Sequence, residues 1–319
     1  MRPVNDLPQN NRAYIGRFAP SPTGPLHFGS LVSALASYLD AHFNKGKWLV
    51  RMEDLDPPRE QAGAADAILR CLEDYGLAWD DSVVYQSQRY EFYEDYLNRL
   101  RNQNLLYNCD CTRQDLQTMN GVYRGRCRNR HVDTSFPHAQ RLKLYDLPAE
   151  FSSPDELRFT DLIQGEQIQN LRIKAGDQIL KRKDGLYAYQ LAVVVDDIEQ
   201  GINHIIRGSD LLDVTARQIF LFQLMDAIVP EFGHVTLASQ PNGQKLSKQN
   251  LAPALELKDA SVNIWRALAF LGQNPPQELL GTEPAELLAW AKIHWKRAAI
   301  HGLSAIYSPS QHRPENNDQ

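Results

Sequence analysis

Between Tyr14 and Ser30 the chain reads Tyr-Ile-Gly-Arg-Phe-Ala-Pro-Ser-Pro-Thr-Gly-Pro-Leu-His-Phe-Gly-Ser, and few folds accommodate such a stretch. Tyr14 to Phe18 has the aromatic and β-branched content of a short buried strand. Pro20, Pro22, Gly24 and Pro25 then exclude regular structure. From Leu31 the pattern changes to Leu31, Leu35, Tyr38 and Leu39, the spacing of one helix face. Strand, rigid loop and helix in that order open an α/β sheet. At the helix start, Gly29 and Ser30 carry little side-chain bulk and are expected to leave backbone N–H groups pointing outward, which suits a phosphate; His27 stands beside them.

Residues beyond this helix extend the same sheet. Lys45-Gly46-Lys47 forms a turn and Trp48 to Met52 a second strand, so strand, helix and strand imply a parallel pair with a right-handed crossover, half of a nucleotide-binding sheet. Glu53, Asp54 and Asp56 arrive at the carboxyl end of that strand, where such sheets place ligands. Amphipathic helices are expected from about Glu60 to Tyr75 and Arg89 to Asn102, with a strand at Val83 to Tyr85 between them. Short strands are expected at Arg141 to Tyr145, Phe159 to Ile163 and Ile179-Leu180, separated by Pro- and Gly-bearing turns. An apolar run from Leu186 to Val195 ends in Asp196-Asp197, and Ile202 to Ile206 is a further strand. Asp213 to Ile228 reads as an apolar helix and Val235 to Ala238 as a strand; two more helices are expected at about Ala260 to Leu271 and Pro284 to Lys296, the latter opened by Thr282.

With 319 residues, the chain can build one large α/β domain or two smaller ones. No apolar run approaches the roughly 20 residues that span a bilayer, and the first residues lack the apolar core of a signal peptide, so a cytoplasmic location without a membrane partner is expected. A net charge of −5 gives no general sign of nucleic-acid binding; that would need a local basic face, for which Arg124, Arg126, Arg128 and Arg130 are the nearest candidates. Cys71 shares a helical face with Ile68, Leu72 and Tyr75 and reads as core. Cys109, Cys111 and Cys127 instead have the spacing to close most of a tetrahedral zinc site, and generic spacing offers His131 as the fourth ligand. Thr112 and Asp115 resemble a helix start between them.

Arg17-Phe18-Ala19-Pro20-Ser21-Pro-Thr-Gly-x-x-His27-x-Gly29 resembles the HIGH signature of class I aminoacyl-tRNA synthetases in the form used by the glutamyl and glutaminyl enzymes. The Arg-x-Glu53-Asp-Leu-Asp segment, Asp-Gly-x-x-x-Tyr189-x-Leu-Ala-Val-Val-Val-Asp-Asp, and Ile-Arg207-Gly-x-Asp-Leu-Leu resemble further parts of the same catalytic domain. Lys245-Leu-Ser-Lys248-Gln is similar to the KMSKS signature, with Leu246 for Met and Gln249 for the final Ser. The resemblance implies a Rossmann-type class I catalytic domain carrying a small zinc-containing insertion and a short C-terminal helical module. It divides the chain into 12–104 and 184–250 as the two halves of the catalytic domain and 105–183 as the insertion; the apolar faces of the last two helices make 251–302 a helical module, and Pro-, Asn- and Gln-rich composition makes 303–319 a disordered tail.

For chemistry, it implies that Arg17, Phe18, Ala19, Pro20, Ser21, Glu53, Tyr189 and Arg207 hold L-glutamate, Glu53 meeting the α-ammonium. His27, Gly29, Ser30 and Lys248 would hold ATP, accompanied by Mg2+, and His27, Gly29, Lys245 and Lys248 would serve catalysis. Two arginines suit an anionic side chain better than a neutral amide. The Cys-x-Cys, Tyr-x-x-x-Cys pattern is similar to the zinc site of glutamyl-type enzymes, which makes Tyr123 rather than His131 the fourth zinc ligand. The glutamyl-tRNA synthetases that the chain resembles continue well past the lysine signature into a domain that reads the anticodon, whereas about seventy residues follow it here. The pattern therefore resembles the shorter family of this subgroup that transfers glutamate to queuosine in the anticodon of tRNA(Asp), acting as a monomer. Alternatives are charging of the tRNA 3′ end and a non-catalytic paralogue that binds RNA or protein.

Overall fold

The computed structural model describes residues 13–117, 119, 122–147, 151, 153–239 and 253–306. In chain order it forms β1 (Ile15–Phe18), α1 (Phe28–Phe43), β2 (Lys47–Met52), α2 (Ala64–Asp74), β3 (Val84–Tyr85) and α3 (Tyr90–Asn102). Next come β4 (Leu106–Cys109), α4 (Arg113–Gln117), β5 (Ala139–Leu142), β6 (Leu157–Asp161), β7 (Gly165–Gln169), α5 (Leu171–Lys174) and β8 (Ile179–Lys181). The chain continues through α6 (Tyr189–Glu199), β9 (His204–Gly208), α7 (Leu212–Leu224), β10 (Glu231–Val235), β11 (Leu237–Ser239), α8 (Ala260–Phe270), α9 (Pro284–His294) and β12 (Ser304–Ile306). Among the described residues no helix is long and apolar enough to cross a membrane.

β1, β2 and β3 pair in parallel, as do β9 and β10. The two sets meet along β1 and β9 at Asn203, whose N–H donates to Ile15 O at 3.0 Å and whose Oδ1 accepts from the Ile15 N–H at 2.8 Å. Alternation along the strands decides which side chains face which helices. Trp48, Val50 and Met52 enter one core with α1, α2, α8 and α9. Leu49 and Ile205 enter a second core with α3, α6 and α7. Both faces of the parallel sheet are thus covered, as the crossover connections of a doubly wound α/β domain require. Between α3 and α6 the insertion adds the antiparallel strands β4-β5-β8 and the β6-β7 hairpin.

Several element boundaries depart from the sequence reading for local reasons. The helix expected from Glu60 begins at Ala64, because Pro57–Arg59 forms a 3-10 turn and Gly63 sits at φ 76°, a left-handed conformation that interrupts helix growth. Leu186 to Val195 supplies the helix α6 despite its valines: Val193, Val194 and Val195 are wholly buried, and burial overrides strand propensity. The strand expected at Val235 to Ala238 is two strands broken at Thr236. There the hydroxyl bonds to His301 O at 2.8 Å and the chain passes from pairing with β9 to pairing with β12. Thr282 does not cap α9; its hydroxyl donates to Leu279 O at 3.0 Å, and Pro284 opens the helix. Past Gly302, where the composition predicts a disordered tail, Ser304–Ile306 pairs in parallel with β11; residues 307–319 lie outside the described residues.

Candidate active site

A cavity of about 570 Å³ opens at the carboxyl ends of β1, β2 and β9. Arg17, Phe18, Ala19, Pro20, Ser21, His27, Gly29, Ser30, Glu53, Tyr189 and Arg207 all line it, so stretches as much as 190 positions apart are brought to one space. Lys245 and Lys248 lie outside the described residues. Both flanks of their segment nevertheless reach the site: Leu237 lines the cavity, Ala254 bridges to His27, and the Leu255 N–H donates to Leu26 O at 2.9 Å.

His27 is the N-cap of α1. Its Nδ1 accepts from the Ser30 N–H at 3.3 Å, so that donor is already engaged and the helix start is less open than the Gly-Ser pair suggests.

Strand alternation turns Arg17, Arg51, Glu53 and Arg207 to the face covered by α6, and all four are buried. Asp197 of α6 takes both Arg17, through bonds of 3.2 and 3.3 Å, and Arg51 at 2.8 Å. Burial alone would raise the Asp197 carboxyl, but the two guanidinium groups outweigh it and hold the pKa below the usual range. Glu53 is less well matched. Its Oε1 lies 3.5 Å from Arg51 Nη2 yet makes no hydrogen bond, and burial pushes the carboxyl up to about 7 against the pull of Arg51 and Arg17.

Arg207 has no carboxylate partner among these bonds. Its Nε donates to His234 Nε2 at 3.0 Å and its Nη2 to Thr215 Oγ1 at 2.8 Å, while Nη1 is buried without a hydrogen bond. Burial brings this guanidinium down to about 10, with Arg17 adding repulsion, so it stays charged at neutral pH. Among the described residues that line it, the cavity therefore presents an unsatisfied donor of Arg207 and an unsatisfied oxygen of Glu53, the latter beside Arg51, whose Nε and Nη2 likewise make no hydrogen bond. Leaving buried polar atoms unpaired is costly unless a ligand completes them.

The sequence reading did not single out Arg51, Asp197, Thr215 or His234 as functional. Arg51 beside the carboxylates and the Asp196-Asp197 end of an apolar run were visible signals; Thr215 and His234 had none.

In the insertion, Cys109, Cys111 and Cys127 are buried with their sulfur atoms within 4.8 Å of one another. Tyr123 joins them: its hydroxyl is 3.5 Å from Cys109 Sγ and 3.7 Å from Cys111 Sγ, and accepts the Cys127 N–H at 2.8 Å. Gly176, at φ 64°, backs this tyrosine so closely that a Cβ would stand 2.3 Å from Tyr123 O. His131 is exposed and outside the cluster. Three thiols and a phenol oxygen converging in a buried site are a donor set suited to a metal such as zinc. The candidate basic face is largely neutralised, since Arg126 pairs with Asp115, Arg128 with Asp177 and Arg130 with Asp110.

Residues 15–271 match the model of the catalytic domain of class I tRNA synthetases (E and Q). The chain is 50% identical over 293 residues to the glutamyl-Q tRNA(Asp) synthetase of Pseudomonas fluorescens Pf-5, covering 90% of this chain and 94% of that protein. It is also 50% identical over 291 residues to the protein of the same name from Pseudomonas putida GB-1, covering 91% and 95%. Among solved structures, glutamate-tRNA synthetase from Elizabethkingia anophelis superposes with a TM-score of 0.77 at 25% identity, over 94% of this chain and 69% of that one.

Proposed function

Since the chain belongs to the class I tRNA synthetases of the glutamate and glutamine group, a family of ATP-using ligases, we propose that it activates L-glutamate with ATP, without tRNA, and transfers the glutamyl group to queuosine in the anticodon of tRNA(Asp). The observation that carries the glutamate step is the pair of unsatisfied buried groups, Arg207 Nη1 and Glu53 Oε1, in one cavity with Arg17. A ligand that completes both has a cation and an anion at opposite ends. Glutamate offers its α-ammonium to Glu53 and its side-chain carboxylate to Arg207 and Arg17, with Tyr189 on the cavity wall between elements. That arrangement leaves the α-carboxylate available for reaction.

ATP lies beside His27, Gly29 and Ser30. The α-carboxylate oxygen attacks the α-phosphorus, the new bond forming in line as the bond to pyrophosphate breaks, and glutamyl-adenylate results. Negative charge grows on the departing pyrophosphate. Lys245 and Lys248, from the segment whose flanks reach the cavity, and the N-terminus of α1 stabilise that charge, with Mg2+ accompanying the nucleotide. In the second step a hydroxyl of the queuosine cyclopentene diol attacks the acyl carbon and AMP leaves. Assignment of this acceptor is supported by the two Pseudomonas relatives, which match this chain along more than nine-tenths of their length. Cys109, Cys111, Cys127 and Tyr123 hold zinc, which cross-links the insertion when bound.

The test combines two assays. Glutamate-dependent pyrophosphate exchange without tRNA is expected, and its absence would favour a non-catalytic RNA- or protein-binding role. Labelled glutamate is then transferred to tRNA(Asp) with and without queuosine and mapped by nuclease digestion. Label on the anticodon fragment supports the proposal, and label on the 3′ terminal ribose replaces it with ordinary aminoacylation.

A further inference from the structure

Arg207 is held by a relay that reaches it from the insertion. Asp161, the last residue of β6, and His234 of β10 are both fully buried, and His234 Nδ1 lies 2.5 Å from Asp161 Oδ2. The other carboxylate oxygen of Asp161 accepts the backbone N–H groups of Ile163, Gln164 and His234 at 3.0, 2.8 and 3.1 Å. The three backbone partners are donors, and the Asp161 carboxyl, which burial would raise, is held below its usual range by its bond to His234. Because Arg207 Nε can only donate, the histidine nitrogen it meets must accept, and His234 carries its proton on Nδ1, toward Asp161. That leaves Nε2 with a lone pair, and Arg207 Nε donates to it at 3.0 Å. Thr215 closes the ring of contacts, with its Oγ1 2.8 Å from Arg207 Nη2 and 3.1 Å from the same histidine nitrogen.

We infer that His234 is a positioning residue for glutamate recognition: locked by Asp161 as the neutral Nδ1–H tautomer, it accepts from Arg207 Nε and thereby aims the unpaired Nη1 into the cavity. This rests on the proposal that Arg207 binds the glutamate side chain. A neutral acceptor is the necessary choice at this position. A carboxylate here would neutralise Arg207 and compete with the ligand's own carboxylate, whereas an apolar residue would leave Nε buried and unpaired. A protonated imidazole would set N–H against N–H and cation against cation. The groups facing His234 are Asp161 from β6, Arg207 from β9, Thr215 from α7 and, acting through its charge, Asp210 in the turn before α7. Burial lowers the imidazole pKa, with Arg207 acting the same way and the bond to Asp161 opposing, which favours the neutral form across the neutral range.

The relay is tested in the full-length protein by glutamate-dependent pyrophosphate exchange. His234→Asn keeps a donor for Asp161 and removes the acceptor for Arg207, and should raise KM for glutamate about tenfold, the cost of one hydrogen bond to a charged group. KM for ATP should stay within about twofold of wild type. His234→Gln, whose amide oxygen can occupy the position of Nε2, should recover most of the loss. In the Arg207→Gln background, His234→Asn should add nothing further, since the two residues act as one unit. In the unmutated protein the affinity for glutamate should fall on acidification, through Glu53 and, further down, through protonation of His234, whose pKa lies below the ordinary imidazole value, and His234→Gln should remove the second part of that fall. An unchanged glutamate KM in His234→Asn, with Arg207→Gln still impaired, overturns the relay alone. Equal effects on ATP and glutamate, or an additive double variant, reduce His234 to a structural role and also overturn it. If neither variant affects glutamate, the pocket assignment fails and the relay with it. Where His234→Asn does not fold, the pH profile of His234→Gln set against that of wild type decides: because both retain Glu53, which also titrates in the site, a profile unchanged in His234→Gln overturns the relay.

Discussion

Two arginines reach the same cavity from β1 and β9, the neighbouring strands along which the two halves of the parallel sheet meet, and are held in opposite ways. On the β1 side Arg17 is clamped by a carboxylate, Asp197, which it shares with Arg51. On the β9 side Arg207 is held by an imidazole and a hydroxyl, neither of which cancels its charge. The first wall is largely neutralised, so Arg17 serves as a frame as well as a contact for the ligand. The second has a positive charge in reserve, at a cost in folding free energy that a bound anion offsets. Substitutions in the first wall should therefore be read out in stability as well as affinity, and in the second mainly as affinity.

The sharpest way to break this contrast is Arg17→Gln. Removing one partner of a buried ion pair costs roughly 3–5 kcal/mol, so urea denaturation should show a large loss at neutral pH; a stability equal to wild type would mean that Arg17 is not a framing group. Next is Glu53→Gln. The Glu53 carboxyl rises from 4.5 to about 7 on folding, so the folded chain holds a proton that the unfolded chain releases. The resulting penalty is absent below the unfolded pKa, grows between about pH 4.5 and 7 and is complete above, reaching on the order of 3 kcal/mol. The stability of Glu53→Gln relative to wild type should accordingly improve between pH 4.5 and 8 while glutamate affinity falls, and a difference independent of pH would exclude the buried-carboxylate account.

Arg207→Gln should lower kcat/KM for glutamate about a hundredfold, roughly 2.7 kcal/mol, with a smaller loss of stability than Arg17→Gln. A reversal of that order of stabilities would erase the distinction between the two walls. A control comes from the insertion, away from either arginine. Tyr123→Phe should weaken zinc retention at least about tenfold, and His131→Ala should not; metal analysis after dialysis against a chelator, giving the opposite order, would move the fourth ligand to His131.

Much of the fold and the site is legible in the sequence because local chemistry carries it. The prolines and glycine after β1 and the helical spacing from Leu31 define a strand, loop and helix with no help from distant residues. The capping of α4 by Thr112 and Asp115 is equally local, with bonds of 2.7 and 3.2 Å between the two. Signature motifs then bring the cavity-lining residues together in advance, including Tyr189 and Arg207. Illegible parts depend on distance. Asp197 meets Arg17 across 180 positions and Asp161 meets His234 across 73, and no periodicity records such pairings. β10 escapes the sequence reading because Glu231-Phe-Gly-His-Val alternates apolar with glycine and histidine, which reads as a turn until the histidine is seen buried against Asp161. The Leu186–Val195 run is ambiguous because a fully buried helix and a buried strand look alike in sequence.

The pairing of β12 with β11 has a mechanical consequence. The two strands run parallel, Leu237 beside Ser304 and Ser239 beside Ile306, and β11 leads directly into the segment that carries Lys245 and Lys248. Their carboxyl ends therefore lie together, next to the residues where the lysine segment begins and where β12 ends. Tension applied to the C-terminus, by a surface tether or a bulky fusion partner, would be borne first by the short β11–β12 ladder. It would peel from the end nearest the lysines, which makes the choice of which terminus carries the affinity handle a variable in any measurement of adenylate formation.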